Sequence, residues 1–222
     1  MVLVLNGPMW FRGIDTIFFF VSGLITLLIA MLSYKAYKLS GDPKYKFFTL
    51  AFGLISAAFV YYALFITLLL THVSRTLTNL VGQFDFVFLG QIFLTILALM
   101  ILTIVTLKVT QQKVQMLLLA LALLFALFSY QHFLKFHLIS FLLLFILSHQ
   151  FYTNYLEKKS TNAKLVSVAF YILAVAEALY IAFVYSNEFF YVAATVVQLI
   201  GYLVLFAVLL RIVYHDREKG KA

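Results

Sequence analysis

Apolar residues fill this chain in long blocks parted by short polar stretches, without the alternation of a half-exposed strand. Seven blocks approach the roughly 20 apolar residues that a helix needs to cross a hydrocarbon core about 30 Å thick. They cover residues 14–34, 47–71, 86–107, 114–130, 137–155, 165–186 and 190–211. The pattern predicts an all-α polytopic membrane protein: seven transmembrane helices in one domain over residues 1–222. The fourth block is the shortest, because "SYQHFLKFH" follows it closely. Its core, "VQMLLLALALLFALF", is uniformly apolar. A full span is expected there, since irregular backbone facing lipid leaves N–H and C=O groups unpaired.

The polar stretches set an orientation. "YKAYKLSGDPKYK", "KVTQQK", "LEKKSTNAK" and "RIVYHDREKGKA" hold Lys35, Lys38, Lys44, Lys46, Lys108, Lys113, Lys158, Lys159, Lys164, Arg211, Arg217, Lys219 and Lys221. Only Arg12, Arg75 and Lys135 fall on the other side. The positive-inside rule then places the N-terminus outside and the C-terminus in the cytoplasm, an arrangement that requires an odd number of spans. The cell membrane is the expected location, with anionic lipid headgroups as the partner of the basic loops. Nucleic acid is not an expected partner, because the basic residues are divided among four short segments.

Composition agrees. The chain is 65% hydrophobic and 11% charged, with a mean hydropathy of +1.06. A soluble domain carries about 25% charged residues. Cysteine is absent, which excludes disulfides, thiolate metal sites and thiol catalysis. The formal charge of +8 is mostly the topology signal already described.

The chain also matches itself. A shift of 118 residues lays "YKAYKLSGDPKYKFFTLAFGLISAAFVYYALF" on "YTNYLEKKSTNAKLVSVAFYILAVAEALYIAF". Tyr34 meets Tyr152, Tyr37 meets Tyr155, Lys46 meets Lys164, Ala51-Phe52 meets Ala169-Phe170, Ala58 meets Ala176, Tyr62 meets Tyr180 and Phe65 meets Phe183. The expected architecture is therefore 3+1+3, with repeats over 14–107 and 137–211 and a linking helix over 114–130. In topology this resembles the parallel repeats of the SWEET sugar carriers, although the Pro-Gln dipeptide typical of that superfamily is absent. The segment with Tyr34, Lys35, Tyr37, Lys38, Ala51, Phe52 and Gly53, and Glu177 in the second copy, also resembles small archaeal multi-spanning proteins of unknown function. That resemblance covers about 30 residues per copy and implies no activity.

One residue breaks the apolar pattern. Glu177 sits in "VAFYILAVAEALYIAF", near the middle of the sixth block. An ionised carboxylate at that depth costs about 2.5–3.5 kcal/mol on insertion scales. The neutral acid is the cheaper state, and either form needs a partner in the bundle interior. Counting about 1.5 Å per residue brings Gln198 to a similar depth, with Tyr180 and Tyr202 one turn from each. Tyr61, Tyr62, Gln91 and Thr95 occupy the same half of spans two and three. The candidate ligand-binding set is Glu177, Gln198, Tyr180, Tyr202, Tyr62 and Gln91. His149 is expected inside the bilayer but off the level of Glu177.

Other chemistries fit less well. The last block contains no lysine for a retinal Schiff base. The outer ends hold Asp15, His72, Asp85, His132, His137 and Glu188, which read as interfacial residues and not as the three or four converging ligands that zinc requires. No cofactor or metal is expected, and no nucleophile–base pair suggests an enzyme. The expected function is a ligand-sensing or binding membrane module acting through a partner membrane or signalling protein. A small-solute carrier of the 3+1+3 type and a structural subunit of a membrane complex are the alternatives.

Overall fold

The computed structural model describes residues 8–11, 13–71, 77–127 and 132–219. A short 3-10 turn, Met9–Phe11, precedes seven α-helices: α1 (Ile14–Ser40), α2 (Pro43–Thr71), α3 (Leu77–Thr106), α4 (Gln112–Leu127), α5 (His132–Lys158), α6 (Thr161–Tyr185) and α7 (Phe189–Lys219). No strand occurs among the described residues. Six of the helices are long and apolar enough to cross a membrane. The exception is α4, described over 16 residues, or about 24 Å.

Most helices overrun the apolar blocks: α3 begins at Leu77 instead of residue 86, and α5 at His132 instead of residue 137. A helix satisfies its own backbone, so it continues through polar residues at its ends where a strict apolar count stops. The "SGDPK" loop shows how local chemistry sets a helix boundary. Gly41 adopts φ +68 and its N–H donates to Tyr37 O at 2.9 Å, closing α1. Asp42 Oδ1 then accepts the Lys44 N–H at 3.0 Å, and Pro43 takes the first position of α2, where its missing N–H costs nothing.

Neighbouring helices pack as a closed ring in the order α1, α2, α3, α5, α6, α7 and back to α1. α4 lies outside this ring against α3 and α5, with most of its described side chains exposed. The N-terminal ends of α3 and α5 are side by side, with the Phe88 and Phe133 rings 6.0 Å apart. Those of α1 and α7 also meet, where Tyr191 Oη donates to Asp15 Oδ2 at 3.4 Å. Small residues allow the closest approaches. A Cβ on Gly201 would lie 2.6 Å from a Leu173 methyl and 3.3 Å from the Leu173 backbone nitrogen. Ser56 of α2 donates to Gly23 O of α1 at 2.8 Å, while Ser148 and Ser167 exchange hydrogen bonds with each other's carbonyls across α5 and α6 at 2.9 and 2.8 Å.

Burial has a register in common between the two halves. Phe19, Ser22, Ile25, Thr26 and Ile29 are buried, and so are His137, Ser140, Leu143, Leu144 and Leu147, each 118 positions later. On α2 and α6 the same offset pairs buried Ala51, Phe52, Ile55, Ala58, Phe59 and Tyr62 with buried Ala169, Phe170, Leu173, Ala176, Glu177 and Tyr180. Even the loop corresponds: Lys159, 118 positions after Gly41, adopts φ +51 and its N–H donates to Tyr155 O at 2.7 Å.

Candidate functional site

The ring encloses a cavity of about 40 Å³, and every ring helix contributes to its wall. One water needs about 10–15 Å³ by this measure, so the space suits about three waters or a group of similar size. α1 supplies Phe19, and α2 supplies Phe59 and Tyr62. α3 supplies Phe88, Gln91, Thr95 and Leu99, and α5 supplies Phe133, Phe136, His137 and Leu144. α6 brings Glu177 and Tyr180, and α7 brings Tyr191, Gln198 and Tyr202. The structure thus brings all six sequence-derived candidates, Glu177, Gln198, Tyr180, Tyr202, Tyr62 and Gln91, onto one surface. This follows from helix periodicity: 91 and 95 on α3, 177 and 180 on α6, and 198 and 202 on α7 are one turn apart and share a face.

The partner of Glu177 is different from the one expected. His137 Nδ1 lies 2.6 Å from Glu177 Oε2, with both residues about 95% buried at 5% and 4% exposure. A proton lies between them in either assignment, imidazole N–H to carboxylate or carboxylic acid to imidazole. This corrects the placement of His137 among interfacial residues. The apolar count began the fifth span at 137, whereas α5 starts more than a turn earlier and carries His137 inside. With an imidazole in contact, the carboxyl has the polar partner that its burial requires, whichever of the two holds the proton.

Aromatic rings hold the imidazole in place. Tyr180 stacks on it at 4.4 Å with planes 25° apart, and Phe133 and Phe136 approach at 4.3 and 4.8 Å. Tyr180 also links to α7. Thr195 Oγ1 donates its one proton to Tyr191 O at 2.9 Å, so Tyr180 Oη is the donor on its side and shares its one proton between Thr195 Oγ1 at 3.1 Å and Gln198 Oε1 at 3.4 Å. Gln198 therefore belongs to the tyrosine and not to the glutamate. On the facing wall, Phe19 and Phe59 stack at 6.1 Å, and Tyr62 and Tyr202 meet them edge-on at 5.1 and 5.6 Å. Gln91 is 6% exposed, and its Oε1 has no hydrogen-bond partner.

His149 faces outward and is exposed, so it does not approach the cavity. Among the described residues, no group of three or more histidine or carboxylate side chains converges as metal ligands does. His72 and the Asp85 side chain lie outside the described residues, and Glu188 is exposed. Sequence reasoning missed His137 as the carboxyl's partner. The available signal was the 118-residue offset, which pairs Phe19 with His137 and Phe59 with Glu177, two positions that touch in each half. Comparisons with protein-family models, curated proteins and solved structures find no match to this chain.

Proposed function

We propose that this protein is a seven-span membrane module, with its N-terminus outside and its C-terminus cytoplasmic, that binds a small ligand in the central cavity. It acts through a partner chain. The observation that carries this reading is the cavity itself. Six helices converge on one space that contains a buried His137–Glu177 pair and an unpartnered glutamine oxygen. A bundle needing only packing would fill that space with apolar side chains, which insert at lower cost. A ligand that touches all six helices can change their relative positions, and that change is what a partner chain would read.

The adjacent N-terminal ends of α3 and α5 support the seventh crossing, because the chain leaves α3 at its far end and must return through α4. A second reading, a small-solute carrier of the 3+1+3 type, is favoured by a specific observation, the burial register common to positions 118 apart. Parallel repeats around a central site are a known carrier plan.

One experiment separates the readings. The chain has no cysteine, so Gln198→Cys provides a single thiol in the cavity wall without background. Labelling by a membrane-impermeant thiol reagent in right-side-out and inverted vesicles reports access. Access from one side supports the sensing module, and access from both supports the carrier. A thiol inaccessible from either side would sink both readings and leave a structural subunit.

A further inference from the structure

We infer that the central cavity takes a small organic cation, an ammonium group carrying only a few carbons. This rests on the reading of the cavity as a ligand site. Four observations point to the class. First, charge: Glu177 lines the cavity and Asp15 sits behind it through Tyr191, whereas among the described residues no lysine or arginine lines it and His137 is its one basic residue. Second, hydrogen bonding: Gln91 Oε1 is a buried acceptor with no partner, and leaving such a group unpaired is costly. A cation with N–H donors satisfies it, and an anion or an apolar molecule does not. Third, the walls: Phe19, Phe59, Tyr62 and Tyr202 present aromatic rings, which attract desolvated ammonium groups. Fourth, size: a cavity of about 40 Å³ admits a few heavy atoms and excludes larger amines.

The His137 contact uses Oε2 of Glu177, and a carboxylate has two oxygens with about four acceptor sites. Glu177 can therefore receive the ligand's N–H while keeping the imidazole. The imidazole must then be neutral, since a cation and an imidazolium would compete for one carboxylate. The other titratable groups facing the pair are Tyr180 from α6, Tyr191 and Tyr202 from α7 and Tyr62 from α2, with Asp15 of α1 behind Tyr191.

The test is saturation-transfer NMR on the full chain in nanodiscs, with methylammonium, methanol and acetate as size-matched probes. Wild type is expected to bind methylammonium in preference to the other two. Glu177→Gln keeps shape and hydrogen bonding, and is expected to weaken methylammonium binding about tenfold or more. Gln91→Leu is expected to weaken it by a smaller factor. If a variant fails to remain monodisperse, the probe series on wild type still decides. Methanol or acetate binding as well as methylammonium would overturn the cation assignment and leave the ligand-site reading standing. Binding of none of the three would overturn the assignment too. The ligand-site reading would fall with it only if the Gln198→Cys thiol also proved inaccessible.

Discussion

The buried His137–Glu177 pair gives the sharpest stability prediction. His137→Phe puts at 137 the residue found 118 positions earlier, in a pocket already walled by Phe133, Phe136 and Tyr180. Shape is therefore nearly kept, and the loss is the partner of Glu177. An uncompensated buried charge costs about 3–5 kcal/mol. Taking up a proton lowers that to the cost of an unsatisfied polar group, about 1–3 kcal/mol. Glu177→Leu strands His137 in the same way, with the lower range expected because a neutral imidazole is available. The double variant strands neither group, and replacing a buried pair by apolar residues is often neutral or stabilising by about 1–4 kcal/mol. The double variant should therefore be more stable than either single one. The assay is the fraction of protein remaining monodisperse after heating in detergent, with an apparent shift of about 2–4 °C per kcal/mol for a chain of this length. Independent sites add within about 0.3–0.5 kcal/mol. Additivity within that margin would refute the claim that the pair acts as a unit.

Other consequences can be checked separately. Gly201→Ala places a methyl group 2.6 Å from the Leu173 side chain with the Leu173 backbone close behind, and should cost about 1–3 kcal/mol in thermal stability; an unchanged melting temperature would mean that α6 and α7 do not approach as described. Asp42→Ala removes the cap of α2 and should cost about 0.5–2 kcal/mol, while Asp42→Asn, which still caps, should cost little. Slight burial pushes the Asp42 carboxyl up, but hydrogen bonds and charge from Lys44 outweigh it and hold the group below the usual carboxylate range. Its ionic contribution is accordingly present at neutral pH and fades as pH falls through that range; the difference between wild type and Asp42→Asn, followed by acid titration, should shrink toward low pH. A reporter active only in the cytoplasm should work when fused after Lys221 and fail when inserted near Asn187; the reverse pattern would overturn the orientation.

The sequence by itself determined the membrane class and the helix count. Both follow from one local property, the length of apolar runs, which the bilayer reads directly. It also marked Glu177 as a buried carboxyl in need of a partner, because the cost of a charge in hydrocarbon does not depend on which helices surround it. Helix periodicity placed Gln91, Gln198, Tyr180 and Tyr202 on the right faces. What the sequence left open was which faces meet. Depth along the membrane normal is additive along a helix and can be counted, but the angular order of helices around a bundle is set by packing between distant segments. Glu177 and Gln198 share a depth, yet it is His137 that the α5–α6 contact turns toward the carboxyl, while Gln198 is turned toward Tyr180. The apolar count began the fifth span only at His137 because it scores each residue alone. In the folded bundle that histidine is buried, since Glu177 offers it a hydrogen-bond partner only once the two helices lie side by side.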